Sequence, residues 1–128
     1  MAVKGLNKDA SDHYKNLLKK QKDPHQKARI LHNLVNLSEN DEEKKCFSFE
    51  LISILEQILG SEDECKKYQY DLIKLQNISD MLTDLYFIAI INDENLFNRI
   101  KILFKKGLEI AESVGDKNLI ISFSCYLA

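Results

Sequence analysis

Three histidines, three cysteines and two acidic clusters are the residues of this chain best suited to catalysis or metal binding. His25 and His32 stand seven residues apart, two turns along one helix face. Helical metal pairs use spacings of three or four and need further ligands, so these two make a poor metal pair. His13 is expected at the surface. Cys46, Cys65 and Cys125 are odd in number, show no CxxC spacing and lie within or beside apolar runs. That pattern predicts buried, reduced thiols in a cytosolic protein. No cysteine neighbours a histidine in the sequence, so no nucleophile–base pair is signalled. The clusters Asp41–Glu43 and Glu62–Glu64 fall where helices are expected to start. There carboxylates complement the helix dipole, which explains them without a catalytic pair. GxGxxG, P-loop and HExxH motifs are all absent. The chain is not expected to be an enzyme, and no cofactor is implied.

Charge is the next candidate for function. The formal net charge is −2, so no global basic field recruits nucleic acid. It is unevenly spread. Residues 1–22 carry six lysines against Asp9 and Asp12, a local +4 that leaves −6 for the remainder. A Lys-rich helical face is ordinarily a solvated face. Aromatic residues lie inside apolar stripes and do not alternate with arginine, so a base-stacking surface is not expected.

The elements that must position these residues are helical. At 128 residues, 45% hydrophobic and 30% charged, the sequence fits one soluble domain, residues 1–128. One Pro and four Gly leave little material for the turns of an all-β fold. Residues 1–8 have no hydrophobic signal core and read as a frayed leader, and no apolar run reaches a membrane span. Ser11 or Asp12 is expected to cap a first helix to about Lys22, with Tyr14, Leu17, Leu18 and Gln21 inward. Asp23-Pro24 restarts the chain, because Asp favours the N-cap and Pro the first helical position. A second helix to about Leu37 places Ala28, Leu31, Leu34 and Val35 on one face. Ser38 or Asn40 caps a third helix that buries Phe47, Leu51, Ile54, Leu55 and Ile58 and closes at Gly60.

Ser61 to Ile91 reads as one long central helix opened by a Ser61/Glu64 capping box. One stripe is Cys65, Tyr68, Leu72, Leu75, Ser79, Leu82, Tyr86 and Ala89, and Ile78, Met81 and Leu85 form a second. Two stripes demand neighbours on two sides. Asn92-Asp93 ends this helix and starts a fifth, with Leu96, Ile100, Leu103, Gly107, Ile110, Ala111 and Val114 inward. A glycine on that stripe costs about 1 kcal/mol against Ala and signals close backbone packing. Gly115-Asp116 stops and recaps the chain, and a last helix from Lys117 to Ala128 leaves Phe123, Tyr126 and Leu127 wanting a neighbour. The fold class is therefore all-α: antiparallel helical hairpins stacked as a bundle or short α-solenoid of about six helices. Homo-oligomerisation through the apolar last helix is one expectation.

Several stretches resemble the 14-3-3 family. Tyr14-Lys15-Asn16 is similar to that family's YKN, with Lys22 where the family has a phosphate-binding arginine. Glu50 to Leu59 resembles its DVLxLLDxxL stretch, and Ile73-Lys74-Leu75 its LKM. Leu119 to Tyr126 resembles LALNFSVF, with Ser122 where the family places a peptide-binding asparagine. The resemblance implies a protein-binding adaptor in the cytoplasm. Its groove would draw charge from Lys15, Lys22 and Lys74 and a backbone hydrogen bond from Ser122. The family's Arg-Tyr pair falls at Met81-Leu82, and the Pro-rich loop and terminal helices have no counterpart. Lysine in place of arginine also loses bidentate geometry, so weak or altered phosphopeptide binding is expected.

A second resemblance is to tetratricopeptide-type repeats. Leu85-Tyr86, the run Phe104 to Glu112, Gly115-Asp116 and Leu127-Ala128 are similar to the rhythm of one such repeat. The Leu82–Leu127 interval is 45 residues, longer than a repeat of about 34. This resemblance implies a structural subunit of a larger assembly or a regulatory subunit of a nucleic-acid or signalling assembly, its basic first helix touching phosphates. The expected partner is a protein or peptide segment, phosphorylated or not; charge and apolar run lengths give no membrane partner and little call for nucleic acid.

Overall fold

Every regular element among the described residues is an α-helix. The structure, a computed structural model, describes residues 2–61, 66, 71–92, 94–125 and 127, with backbone alone for 2–7 and 89–92. Among the described residues six helices are placed in order: α1 Ala2–Lys20, α2 Pro24–Leu37, α3 Asp41–Gly60, α4 Leu72–Asn92, α5 Glu94–Val114 and α6 Lys117–Ser124. The protein is all-α, as the periodicity predicts. It divides into two compact units, Met1–Ile54 and Leu55–Ala128.

In the first unit α1 packs on α2. Asp23 caps α2 by accepting from the Gln26 N–H at 3.1 Å, and Pro24 opens the helix. Ala28, Leu31, Leu34 and Val35 are all buried, as the stripe requires. Asn40 starts α3: its Oδ1 accepts from the Glu42 N–H at 2.8 Å and the Glu43 N–H at 3.3 Å. Ser48 is buried in α3, and its hydroxyl donates to the Lys44 carbonyl one turn back at 2.7 Å, so it makes no demand on a neighbour.

Several boundaries and burials differ from expectation. α1 begins at Ala2, so Ser11 and Asp12 lie inside it and the expected leader is its first turns. No proline interrupts residues 2–11, and the helical ladder runs on through Ser11 and Asp12. Leu17, expected inward, is 39% exposed. Gly60 is the last helical residue of α3 and not a left-handed terminator, since Gly115 alone among the described residues has positive φ. Cys46 and Cys125 are exposed, against the expectation of buried thiols. Cys46 shares the outer face of α3 with Glu50, Ser53 and Gln57, opposite the buried Leu51, Leu55 and Ile58. The expected sites at Cys65, Tyr68, Glu64 and Asp93 lie outside the described residues.

The second unit depends on α4. It is not the upper part of an unbroken helix from Ser61. Asp71 stands outside the helix, and its Oδ1 accepts from the Lys74 N–H at 3.1 Å. A short acidic side chain offers the backbone a cap that competes with helix continuation. Beyond that cap both stripes hold: Leu75, Ser79 and Leu82 on one side and Ile78, Met81 and Leu85 on the other are buried. Leu72, on the first stripe, is 37% exposed because it opens the helix.

α4 packs on α5, and α5 on α6. Tyr86 meets Phe97 and Phe104 with ring centroids at 5.2 and 6.3 Å. α5 buries Leu96, Ile100, Leu103, Phe104 and Ala111 as well as Gly107. Gly107 faces Phe123 of α6. A Cβ built there would lie under 3.0 Å from three carbons of that ring. Close packing is therefore why the glycine is there. It also corrects the expectation for Phe123, which is fully buried inside its own chain and wants no outside neighbour. Gly115 at φ 81° closes α5, its N–H donating to the Ala111 carbonyl at 2.9 Å. Asp116 then caps α6 through the Leu119 N–H at 3.0 Å.

Two outcomes follow. Gly107→Ala is expected to destabilise by about 1–3 kcal/mol through overpacking, although it raises helix propensity. In a Phe123→Ala background, itself costing about 3–5 kcal/mol, the same change becomes neutral or stabilising. Urea unfolding followed by circular dichroism reads both, and an additive double mutant would remove the steric account. A thiol-reactive probe applied to the folded protein labels Cys46 and Cys125 rapidly, and Cys46→Ser removes one fast equivalent. Labelling only after denaturation would contradict their exposure.

Candidate functional site

The sequence places Lys15 and Lys22 in the first unit and Lys74 and Ser122 in the second. Lys15 is set by α1. Residues Lys8, Ser11, Asp12 and Lys15 recur at three- and four-residue steps, so they share one helix face. That face and the α2–α3 connection form a cleft of about 310 Å³, completed by Leu37, Ser38, Glu39, Asn40 and Glu43. The wall opposite α1 is shaped by two caps. Ser38 ends α2, its hydroxyl donating to the Leu34 carbonyl at 2.7 Å, and Asn40 starts α3.

Charge in this cleft is balanced locally. Lys15 Nζ is 2.9 Å from Glu43 Oε1, each side chain about two-fifths exposed. The ammonium also lies 5.9 Å from the centre of the Phe47 ring. Lys8 and Lys15 face Asp12, Glu39 and Glu43 around the opening, two positive groups against three negative. Pockets for small apolar ligands are lined mainly by hydrophobic and aromatic side chains; here one lining residue, Leu37, is apolar. The arrangement suits a charged or polar segment. An anion must compete with Glu43 for Lys15.

Lys22 is exposed in the α1–α2 connection and does not line the cleft with Lys15. Lys74 is exposed in the first turn of α4, its Nζ 4.0 Å from Asp71 Oδ2. Ser122 is half-buried on α6. Met81 and Leu82, at the positions of the 14-3-3 family's Arg-Tyr pair, are core residues at 2% and 0% exposure. They contribute no oxyanion contact.

His25 is buried near the start of α2, His32 is half-buried and His13 exposed. Among the described residues no group of three or more His, Cys, Asp and Glu is arranged to hold a metal. No described helix is long and apolar enough to cross a membrane.

One polar feature was not foreseen. Arg99 of α5 donates from Nε to Glu56 Oε2 of α3 at 3.3 Å and from its terminal nitrogen to Oε1, a bidentate pair. Hydrogen bonding to Glu56, with the carboxylate's charge adding to it against desolvation by burial, raises the guanidinium above its ordinary value. The signal was compositional: Arg99 is one of two arginines among sixteen lysines. Arginine's planar fork is what a two-oxygen acceptor needs.

Set beside protein-family models, curated proteins and solved structures, the chain matches none of them.

A double-mutant cycle on Glu56→Ala and Arg99→Ala is expected to give a coupling of about 0.5–1 kcal/mol, the upper part of the range for partly exposed pairs. Thermal or urea unfolding measures it. Coupling indistinguishable from zero would make the pair incidental.

Proposed function

We propose that this chain is a non-enzymatic protein-binding adaptor, resembling a divergent 14-3-3 protein, whose contact with phosphate is weakened. The observation that carries the reading is the place of Lys15. It is neither core nor free surface, but lines an open polar cleft and is held by Glu43 at 2.9 Å. A partner's segment laid along α1 would meet alternating charges. A phosphoryl group there gains Lys15 only by displacing Glu43, and the core placement of Met81 and Leu82 supplies no compensating donor. Charge-assisted contacts are worth roughly 1.5–3 kcal/mol each when desolvated. Spending one on an internal pair is a sizeable part of a phosphopeptide's affinity.

A second reading, a helical-repeat subunit of a larger assembly, draws support from Gly107. The close approach of α5 and α6 occurs inside the stretch from Phe104 to Glu112 that resembles a tetratricopeptide repeat.

The experiment is a titration of a degenerate phosphoserine peptide library and its unphosphorylated twin, read by fluorescence anisotropy. The native chain is expected to bind with little preference for phosphate. Glu43→Gln frees Lys15 and is expected to raise phosphopeptide affinity about three- to tenfold, and Lys15→Glu to lower it comparably. If neither Lys15→Glu nor Lys74→Glu changes affinity, the groove reading fails and the helical-repeat reading takes its place.

A further inference from the structure

Lys15 and Lys74 each face a carboxylate. The cations where α1 joins α2 do not. Residues 19–29 carry Lys19, Lys20, Lys22, Lys27 and Arg29 against Asp23 alone, a local charge of +4. Among the described residues none of these five makes an ion pair. Asp23 is itself committed, since its Oδ2 accepts from the Gln26 N–H as the cap of α2. Lys19, Lys20, Lys22 and Arg29 are exposed and Lys27 half-buried.

The junction is also shaped. Gln21 Oε1 accepts from the backbone N–H groups of Lys22 at 3.2 Å and Asp23 at 3.3 Å, pinning the bend that presents Lys22. Lys19 and Lys20 form the last turn of α1. A rise of about 1.5 Å per residue keeps Lys27 and Arg29 within roughly 8 Å, along the axis, of where α2 begins. Five cations thus lie toward one end of the hairpin, and among the described residues no carboxylate pairs with them.

We propose that this end of the α1–α2 hairpin docks a short acidic segment of a partner protein. Its carboxylates pair with Lys19, Lys20 and Lys22, with Lys27 and Arg29 at the flanks. A short segment fits better than an extended polyanion. Within Met1–Ile54 the residues outside 19–29 carry seven carboxylates against five lysines, so an extended polyanion running past the patch finds no further net positive charge there. Screening over about 8 Å at physiological salt confines attraction to what touches the patch. The large apolar side chain exposed near it is Leu17, and no described exposed aromatic lies there to stack a base or enter a membrane. The proposal rests on the reading that the chain binds protein segments. It does not require the Lys15 cleft or phosphate.

The test uses the full chain and fluorescein-labelled octaglutamate, titrated by anisotropy at low and at physiological salt. Octaglutamine, oligouridylate and phosphatidylserine vesicles run beside it. Octaglutamate is expected to bind more tightly than all three, with affinity falling as salt rises. Lys19→Glu with Lys22→Glu is expected to weaken it about tenfold or more, and the charge-matched pair Lys105→Glu with Lys106→Glu by no more than about twofold. The milder Lys19→Gln with Lys22→Gln gives an intermediate loss, and circular dichroism confirms that each variant is folded. No binding at low salt, equal losses in both charge-reversed variants, or tighter binding of oligouridylate or vesicles overturns the proposal. If octaglutamate fails while phosphoserine peptides keep a Lys15-dependent affinity, this surface is lost and the cleft stands. If both fail, the protein-binding reading falls with it.

Discussion

A missing side chain organises the second unit. Gly107 leaves the space into which Phe123 fits, and that ring is one of the two largest fully buried side chains among the described residues. α6 has eight residues, too few to be stable alone. Its attachment rests on Phe123 and Leu119 at its buried face, Asp116 at its start and the left-handed Gly115 before it. Burying an aromatic ring contributes about 1.5–3 kcal/mol, a stabilisation that a helix this short does not have by itself. The glycine's cost in helix propensity inside α5 is offset by that packing.

Carboxylates divide the polar surface into spent and unspent charge. Asp23, Asp71 and Asp116 accept backbone N–H groups at helix starts. Glu43 and Glu56 hold Lys15 and Arg99. What remains uncompensated is set by sequence neighbours. Beside Asp23, whose oxygen serves the backbone, five cations make no ion pair among the described residues.

Legibility in the sequence followed the strength of local signals. Asp23-Pro24 and Gly115-Asp116 mark two helix starts, and Ser38 or Asn40 before three acidic residues marks a third, because each is a cap whose chemistry is local. At the third, Asn40 makes the cap and Ser38 ends the helix before it. The two stripes of α4 were readable for the same reason. Asp71 was not, since it sits between apolar residues where period alone carries a helix through it. Phe123 looks unsatisfied in the sequence because its partner is a glycine, which offers no apolar side chain to anticipate. The apolar surroundings of Cys46 predict a core thiol, although its angular position on α3 is that of the exposed Glu50 and Gln57. For the candidate site, Lys15 was singled out by resemblance, but Glu43 was not. That pairing brings two helices together and has no period to announce it. The Glu56–Arg99 clamp was missed on the same grounds.

That clamp bears on how the chain reaches its fold. Gly107 and Phe123 are 16 residues apart, and Tyr86 and Phe97 are 11, whereas Glu56 and Arg99 are separated by 43. Short loops close at small entropic expense, and helical folds dominated by local contacts cross their barriers fast. The adjacent pairs α4–α5 and α5–α6 are therefore expected to assemble first, with the ion pair closing a larger loop after the rate-limiting step. An interaction formed that late holds the native state by slowing escape from it, so Arg99→Ala should accelerate unfolding and leave the refolding rate nearly unchanged.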